Sequence, residues 1–556
     1  MRAALLVLFA SISVGAEPFP LFYTDAKPFR EACEAAEKGM QPLEQLVTGV
    51  TVPHHLLAVD LIAETLWAAS QGRYERVLIL SPDHFKRGTT PFSTTTKDFL
   101  TPLGRVRVDA GAVKELMAEP LVSESALFSR EHGVQALLPM LARWFGDVPI
   151  VPVTLGVRST REEWEKLLPV LIRCVEGKKT LVVQSTDFSH YLTQAEAMKR
   201  DAETLRVLAA GDEEAVLQLD QPGHLDSKAA QWLMMRLQRE VWGASGIVLR
   251  NRNAIHYGGD PQEPETTSYI TQVFSPQRLP GAALPGKRVC FGGDTHFGRE
   301  VVVKLAKGPE AARIEKTILD ATGGAPLILN LEGVMLPEVP AELKHPFQIG
   351  MRGGLSLEWL RRLNVAAVSL ANNHSHDFGE TACAAMKRDL QAAGIVVLEN
   401  GEVADLGGFR LGAATDVENS PAPTWELLKA SSFEPWKAVK PPLFAFLHLG
   451  TEYAAAPSIR ERQIASWAEK AGASLILGAH THRPSSGWER GAGSLRWFSM
   501  GNLLFDQNDP RNGGGLIELR FLDQDTWTAR WLPLGNVFAG SPAPVPTPPR
   551  LLPGRG

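Results

Sequence analysis

Short apolar runs separated by amphipathic stretches constrain this chain more than any other feature. In the first half the runs are RVLILSP (76–82), VPIVPVTLG (148–156) and TLVVQSTDF (180–188). Between them, stretches such as AVDLIAETLWAAS and VQALLPMLARWF repeat apolar residues every three or four positions, the period of a helix packed on one face. The second half continues the pattern, with helical stretches ETACAAMKRDLQAAG (380–394) and RERQIASWAEKAGA (460–473) between strand-like runs. Strand–helix alternation predicts α/β domains, in which ligands collect at the C-terminal ends of the strands.

The strand ends of the second half carry the chemistry. RVCFGGDTH ends on Asp294 and His296, PLILNLEG on Asn330 and Glu332, and VAAVSLANNH on Asn373 and His374. PLFAFLHLG carries His448, and SLILGAHTH ends on His480 and His482. A polar group at the end of a buried strand costs free energy unless it is paired, solvated or bound to an ion. Five such ends in one stretch, rich in His, Asp, Glu and Asn, predict a preassembled metal centre. Mixed imidazole, carboxylate and amide donors suit Mn, Fe or Zn rather than Ca or Mg. Because His480 and His482 alternate, both reach one cleft only if the strand has already turned.

At 556 residues the chain exceeds one ordinary core, so two domains are expected. A net charge of −5 with thinly spread Lys and Arg argues against nucleic acid or an anionic membrane surface as the main partner. SPQRLPGAALPG lacks any periodic pattern and reads as a linker over 276–286, so the flanking halves are expected to fold separately. The end of the chain, 536–556, reads as a Pro-rich tail. Residues 1–16, with one Arg, an apolar stretch from Ala3 to Phe9 and small residues up to Ala16, read as a secretory signal. That expectation places the protein in a periplasm or outside the cell, with no membrane span after cleavage. The four cysteines form no CxxC pair, and free core thiols are expected.

Residues 287–535 resemble the CapA family of capsule and poly-gamma-glutamate synthesis proteins, on GGDTHFGR, NLEG, SLANNHSHDFGE, HLGTEY, GAHTH and SMGNLLFD in that order. The resemblance implies an α/β sandwich like that of calcineurin-type metallophosphoesterases. It implies that Asp294, His296 and His482 hold one metal, that Asn373, His448 and His480 hold a second, and that Glu332 stands where those enzymes place a bridging Asp. His374 would protonate the leaving oxygen. Independently of family, two cations about 3.5–4 Å apart can bind both non-bridging oxygens of a phosphate and acidify a shared water. Residues 17–275 resemble the Memo family (AmmeMemoRadiSam system protein B), a fold related to LigB-type dioxygenases, on VPHH, SPDHF, EHGVQALLP and QSTDFSHY. That resemblance implies metal ligands at His54 and His84, with Asp187 and His190 lining the pocket. The Cys that Memo proteins carry is absent from HLDSKAA, where Asp226 and Ser227 stand. Asp226 offers a carboxylate for a two-His-one-carboxylate shell, so one further metal is expected here, or else a polar pocket without chemistry.

Three functions compete. One is an exported metal-dependent hydrolase of a small phosphoester. The second is an envelope protein handling poly-gamma-glutamate or a similar anionic polymer around a structural metal. The third is a redox or oxygenase-type metalloprotein centred on the first half. If the signal reading holds, N-terminal sequencing of protein from the native envelope should begin at Glu17 or within a residue or two. Intact Met1 would overturn it.

Overall fold

The computed structural model describes residues 17–260, 262–418 and 426–543. The expected signal and most of the expected tail lie outside the described residues. The chain divides into two compact units that do not follow the linear order. The first comprises residues up to 190 with 220–244 and 269–276; the second comprises 191–219, 245–268 and 277 onward.

The main sheet of the first unit contains β1 (Gly49–Val52), β2 (Arg76–Asp83), β3 (Phe92–Thr94), β4 (Val122–Glu124), β5 (Ile150–Gly156), β6 (Thr180–Ser185) and β7 (Thr266–Ser275, counted in this unit from 269), and Phe99–Thr101 pairs separately with Gly104–Val106. They run in the order β7-β1-β6-β2-β5-β3-β4. The central neighbours β1, β6, β2 and β5 are parallel, while β7 joins β1 antiparallel. Parallel strands are covered on both faces and so read as unbroken apolar runs. RVLILSPD in β2 is buried along its whole length. Thr160 and Glu163 form a capping box at the start of helix Arg161–Val175, and Ser227 caps helix Lys228–Trp242.

In the second unit, β8 (Lys287–Thr295), β9 (Leu327–Leu331), β10 (Val365–Ser369), β11 (Val396–Leu398), β12 (Val403–Asp405), β13 (Arg410–Thr415), β14 (Leu443–His448) and β15 (Ala473–Ala479) are followed by β16 (Glu489–Arg490), β17 (Leu495–Trp497), β18 (Asn502–Leu504), β19 (Gly514–Phe521) and β20 (Trp527–Gly535). One sheet is ordered β11-β10-β9-β8-β19-β20, with β18 beside β8; the other is β12-β13-β14-β15-β17-β16. Phe291, Ile328 and Ala367 of the first sheet pack with Leu411, Phe444, Phe446, Leu475 and Leu477 of the second. Helices cover the outer faces: Ile314, Ile318 and Trp359 on one side, Ile464, Ala465 and Ala468 on the other. The result is an α/β sandwich with two stacked sheets at its centre.

Gly293 is required where β8 passes the backbone beneath the site. A Cβ there would lie 1.9 Å from the Gly501 carbonyl oxygen. That close approach lets the Asp294 N–H donate to the same oxygen at 3.0 Å. The fold also continues past Gly535. Val537 and Phe538 are buried, and Asn536 pairs with Ser541, so the first residues expected in the tail are packed rather than extended. All four cysteines are free and buried, as core thiols.

The 191–219 and 245–268 segments are held by a buried polar network. Asp201, fully buried in helix Gln194–Ala210, accepts from Asn251 Nδ2 at 2.8 Å, Ser268 Oγ at 2.5 Å and Gln524 Nε2 at 3.2 Å. Thr526 donates to Asn251 at 2.9 Å, and Asn253 to Gln524 at 2.7 Å. A buried carboxylate with several donors is stabilising as a set and expensive to break singly. The linker is partly exposed, with Leu279 and Leu284 buried. A protease cut between residues 276 and 286 should therefore leave two fragments that co-elute natively and separate in denaturant. Separation without denaturant would mean that the Asp201 network is too weak to hold 191–219 and 245–268 to the rest of the second unit.

Candidate metal centres

The second unit gathers its polar strand ends around Asp294. This side chain is fully buried at the end of β8. The His480 N–H donates to both of its oxygens, at 3.0 and 3.1 Å, and Asn330 Nδ2 donates to Oδ1 at 2.9 Å. His482 Nδ1 lies 3.2 Å from Oδ2. Asn330, on β9, is the hub: its Nδ2 is also 2.9 Å from Glu332 Oε1 and 3.2 Å from His448 Nδ1. Its own amide oxygen accepts from Asn372 Nδ2 at 3.1 Å. His448 Nε2 is 2.8 Å from Asn373 Oδ1. Donor atoms of Asp294, Glu332 and His448 lie within 4.8 Å of one another, and all three residues are buried.

The electrostatics of this group fit a cation. Burial works against a charged Asp294, but the hydrogen bond and charge of His482, with His448 nearby, hold its carboxyl well below the usual range. Glu332 is pushed well above its ordinary value by burial and then by the Asp294 charge beside it. Burial and neighbouring imidazoles drive His448 well down, and burial lowers His480 to about 4. Burial lowers His482, but the bond and charge of Asp294 outweigh it and raise the group. His448 and His480 are neutral donors, and a divalent ion bound here would displace the protons of Glu332 and His482.

His480 and His482 both follow the last residue of β15 with left-handed backbones, φ +95° and +57°. Non-glycine residues seldom occupy that region and cluster at functional sites when they do. The chain has turned at Ala479, which resolves the alternation problem posed by GAHTH. The His480 ring lies 4.7 Å from that of His448, and His482 binds Asn502 Oδ1 through Nδ1 at 2.9 Å.

The remaining expected residues sit differently. His296 is fully buried, but its Nδ1 accepts from the Gly298 N–H at 3.1 Å and its Nε2 meets Asp506 Oδ1 at 3.0 Å. Both ring nitrogens are thus engaged within the protein, and His296 stands outside the Asp294–Glu332–His448 group. Asp506 also receives a two-pronged contact from Arg299. His374 is part-buried; its Nδ1 is 2.9 Å from Asp377 Oδ2, which also accepts the Ile349 N–H at 2.8 Å.

The first unit builds a second group at the ends of β1, β2 and β6. His54 Nε2 lies 3.2 Å from Asp226 Oδ2 and 3.4 Å from Asp187 Oδ2, and its Nδ1 is 3.0 Å from Ser185 Oγ. His84 Nδ1 meets the buried Glu131 at 2.6 Å, turning Nε2 toward Asp226 Oδ2 at 3.7 Å. The His132 ring is 4.1 Å from that of His84. His54, His84 and His132 form one candidate group and His54, Asp187 and Asp226 another. Asp226 is buried, and its Oδ1 has no hydrogen-bond partner among the described residues. Burial lowers the pKa of His84, but bonds to Asp226 and Glu131 outweigh it and raise the group to about 10. His132 falls to about 4 through burial and the charges of its two neighbouring imidazoles. Ser227 is used elsewhere, as the helix cap, so of these two neighbours it is Asp226 that faces the imidazoles. His190 joins neither group; its N–H donates to the Pro222 carbonyl.

The sequence motifs contain the residues that orient the ligands, Asn330, Asn502 and Asp506 in one unit and Glu131 and His132 in the other, without showing that task. Asn330 and His132 lie inside quoted motifs, NLEG and EHGVQ, where a polar residue interrupts or follows an apolar run. Asp506 likewise closes a quoted motif, SMGNLLFD, after an apolar run; what the sequence does not show is its pairing with His296, which is remote in the chain.

Comparison with known proteins follows the same division. Residues 29–257 match the family model described as Memo-like protein, and residues 288–403 with 437–507 match that of bacterial capsule synthesis protein PGA_cap. A MEMO1 family protein of Methanosarcina acetivorans is 28% identical over 207 residues, 35% of this chain and 73% of that protein. One of Pyrobaculum arsenaticum is 28% identical over 187 residues, 32% of this chain and 66% of the relative. Among solved structures, a protein named as a 5'-nucleotidase from Staphylococcus aureus is 14% identical, covering 44% of this chain and 54% of its own, at a TM-score of 0.30. A likeness that slight carries no argument about function.

Plasma mass spectrometry should separate the roles of the two residues of the DTH motif. Asp294→Ala should lose any divalent metal that the second unit binds, whereas His296→Gln, acting on Asp506, should retain most of it. Equal loss in both would make His296 a ligand after a change of ring partner.

Proposed function

We propose that this chain, a Memo-like region joined to a PGA_cap region, is an exported metal-dependent hydrolase that acts on a small phosphoester through its second unit. The observation that carries the reading is the convergence of Asp294, Glu332 and His448 within 4.8 Å at the C-terminal edge of a two-sheet sandwich, ringed by Asn373, His480 and His482. Asp294, Glu332, Asn373, His448, His480 and His482 would hold one or two Mn, Fe or Zn ions. A metal bound there would supply Lewis acidity to a phosphoryl oxygen and a hydroxide nucleophile at neutral pH.

The protein's own groups have distinct tasks. Asn330 holds Asp294, Glu332 and His448 in register, so the donors meet a substrate already oriented. His374 is oriented by Asp377, whose carboxylate accepts at Nδ1 and leaves Nε2 as the proton donor to a leaving oxygen. The Ile349 N–H fixes that carboxylate in turn. The anionic-polymer reading would use the same metal structurally and needs no proton donor. The His374–Asp377 pair therefore favours hydrolysis.

A second reading concerns the first unit alone. The orphaned Oδ1 of Asp226, beside His54 and His84, favours a mononuclear divalent site with a carboxylate in the third position. Asp226→Asn should lower metal content in that unit, leaving the second unit's metal intact. An unchanged total would reduce the group to a structural ion-pair cluster.

The main reading is tested by assaying the metal-loaded protein against phosphomonoesters and phosphodiesters, with and without a chelator. His374→Ala should keep its metal and lose about 10²–10⁴-fold in turnover, the usual contribution of a general acid. If the loaded wild type turns over none of the esters, polymer handling moves ahead. If His374→Ala loses its metal as fully as Asp294→Ala, His374 is a ligand rather than an acid.

A further inference from the structure

Tyr453 combines two features that folding alone does not favour. It is 41% exposed despite its large ring, and its backbone sits at φ +64°, a region bulky side chains avoid. Such strain persists where the surroundings over-determine it, and it concentrates at functional sites.

Every contact that holds Tyr453 leads to the His482 loop. Its N–H donates to the Thr481 carbonyl at 2.8 Å, and its carbonyl accepts from Arg483 Nη1 at 2.9 Å. Thr481 and Arg483 are the residues on either side of His482. The hydroxyl accepts from Gln507 Nε2 at 3.1 Å, and Gln507 Oε1 in turn accepts at 3.0 Å from Asn502, which also orients His482. The ring centroid stands 5.9 Å from that of His482, and the Arg483 guanidinium lies 5.6 Å from it. The ring is therefore fixed at the edge of the candidate metal centre, backed by a cation, with aromatic surface left to solvent. Arg483 is itself held, through Nε to Asn512 Oδ1 at 3.2 Å, so it supports the ring rather than roaming.

We propose that Tyr453 is a specificity-determining residue that stacks on a planar ring, a nucleobase or an aryl group, carried by the ester whose phosphoryl group enters the centre. The inference rests on the phosphoester reading above and adds the class of leaving group. Base–aromatic stacking is sequence-tolerant and strong enough to be felt as roughly a tenfold change in affinity when the ring is removed. The hydroxyl serves to anchor the ring to Gln507, so the ring and not the hydroxyl should carry the preference.

The test uses the full-length, metal-loaded protein with Tyr453→Asn, since Asn tolerates a left-handed backbone, and Tyr453→Phe, which keeps the ring. Calorimetry would compare adenosine monophosphate with inorganic phosphate. Initial rates would compare adenosine monophosphate and p-nitrophenyl phosphate with glycerol 2-phosphate. The wild type should prefer the monophosphate to inorganic phosphate. Tyr453→Asn should lower that preference about tenfold, mainly through KM, and Tyr453→Phe should keep it. Loss for only one planar ligand would identify the ring type. Equal weakening of planar and non-planar ligands in Tyr453→Asn would reduce Tyr453 to a loop anchor, as would a fall in Tyr453→Phe matching that in Tyr453→Asn. No wild-type preference would overturn the inference outright. A calorimetric preference without turnover of any ester would instead overturn hydrolysis while sparing the stacking role.

Discussion

The second unit is organised around a carboxylate that has no water to ionise into. Asp294 is fully buried, and its charge survives there only because a backbone N–H, an amide and an imidazole from two other strand ends converge on it. Those partners fix the geometry of everything nearby. His480 can donate to Asp294 only because β15 has ended and the chain has entered a left-handed turn. Asn330 can reach Asp294 only because β8 and β9 run parallel with a register shift between Gly292 and Asp294. Leaving such a carboxylate unpaired would cost several kcal/mol, roughly the scale of a broken buried ion pair, so sandwich and site are coupled in stability.

The two candidate centres solve the same problem with different means. In the second unit the acids are adjacent, and Glu332 gives up its charge to Asp294. In the first unit the acids are matched by imidazoles: Asp226 meets His54 and His84, and Glu131 meets His84. In the former, a cation would take the place of the proton that burial and the Asp294 charge favour on Glu332; in the latter, a single carboxylate oxygen of Asp226 is left over.

Much of this was legible before any coordinates. The alternation of apolar runs and amphipathic stretches is enough for α/β architecture, and five polar strand ends are enough for a candidate centre, because burial leaves such groups few other uses. The motifs also carried the two family likenesses. Harder to read was the division into units. Residues 191–219 and 245–268 read as part of the first half, yet Asp201, Asn251 and Asn253 find their partners at Gln524 and Thr526. No local pattern announces pairings across 271 to 323 residues, since Asn, Gln and Thr have the same appearance in a loop, a cap or a buried network. The same limit hid the role of Asp506, the last residue of SMGNLLFD, which exists only where His296 and Arg299 come beside it.

Sequence alone determined which residue types stand at the ends of which strands, since strand period and burial are local properties of the chain. It determined that Asp and Ser stand in HLDSKAA, and hence that no thiolate is available there. Tertiary structure decided how those residues divide the work. It sent Asp226 toward the imidazoles and Ser227 to a helix N-terminus, gave His296 to Asp506, turned His480 and His482 into one cleft, and set Tyr453 beside them. The reason is physical: a side chain's chemistry is fixed by its atoms, but its partners, its protonation and its exposure are fixed by whatever the fold packs within a few ångströms of it.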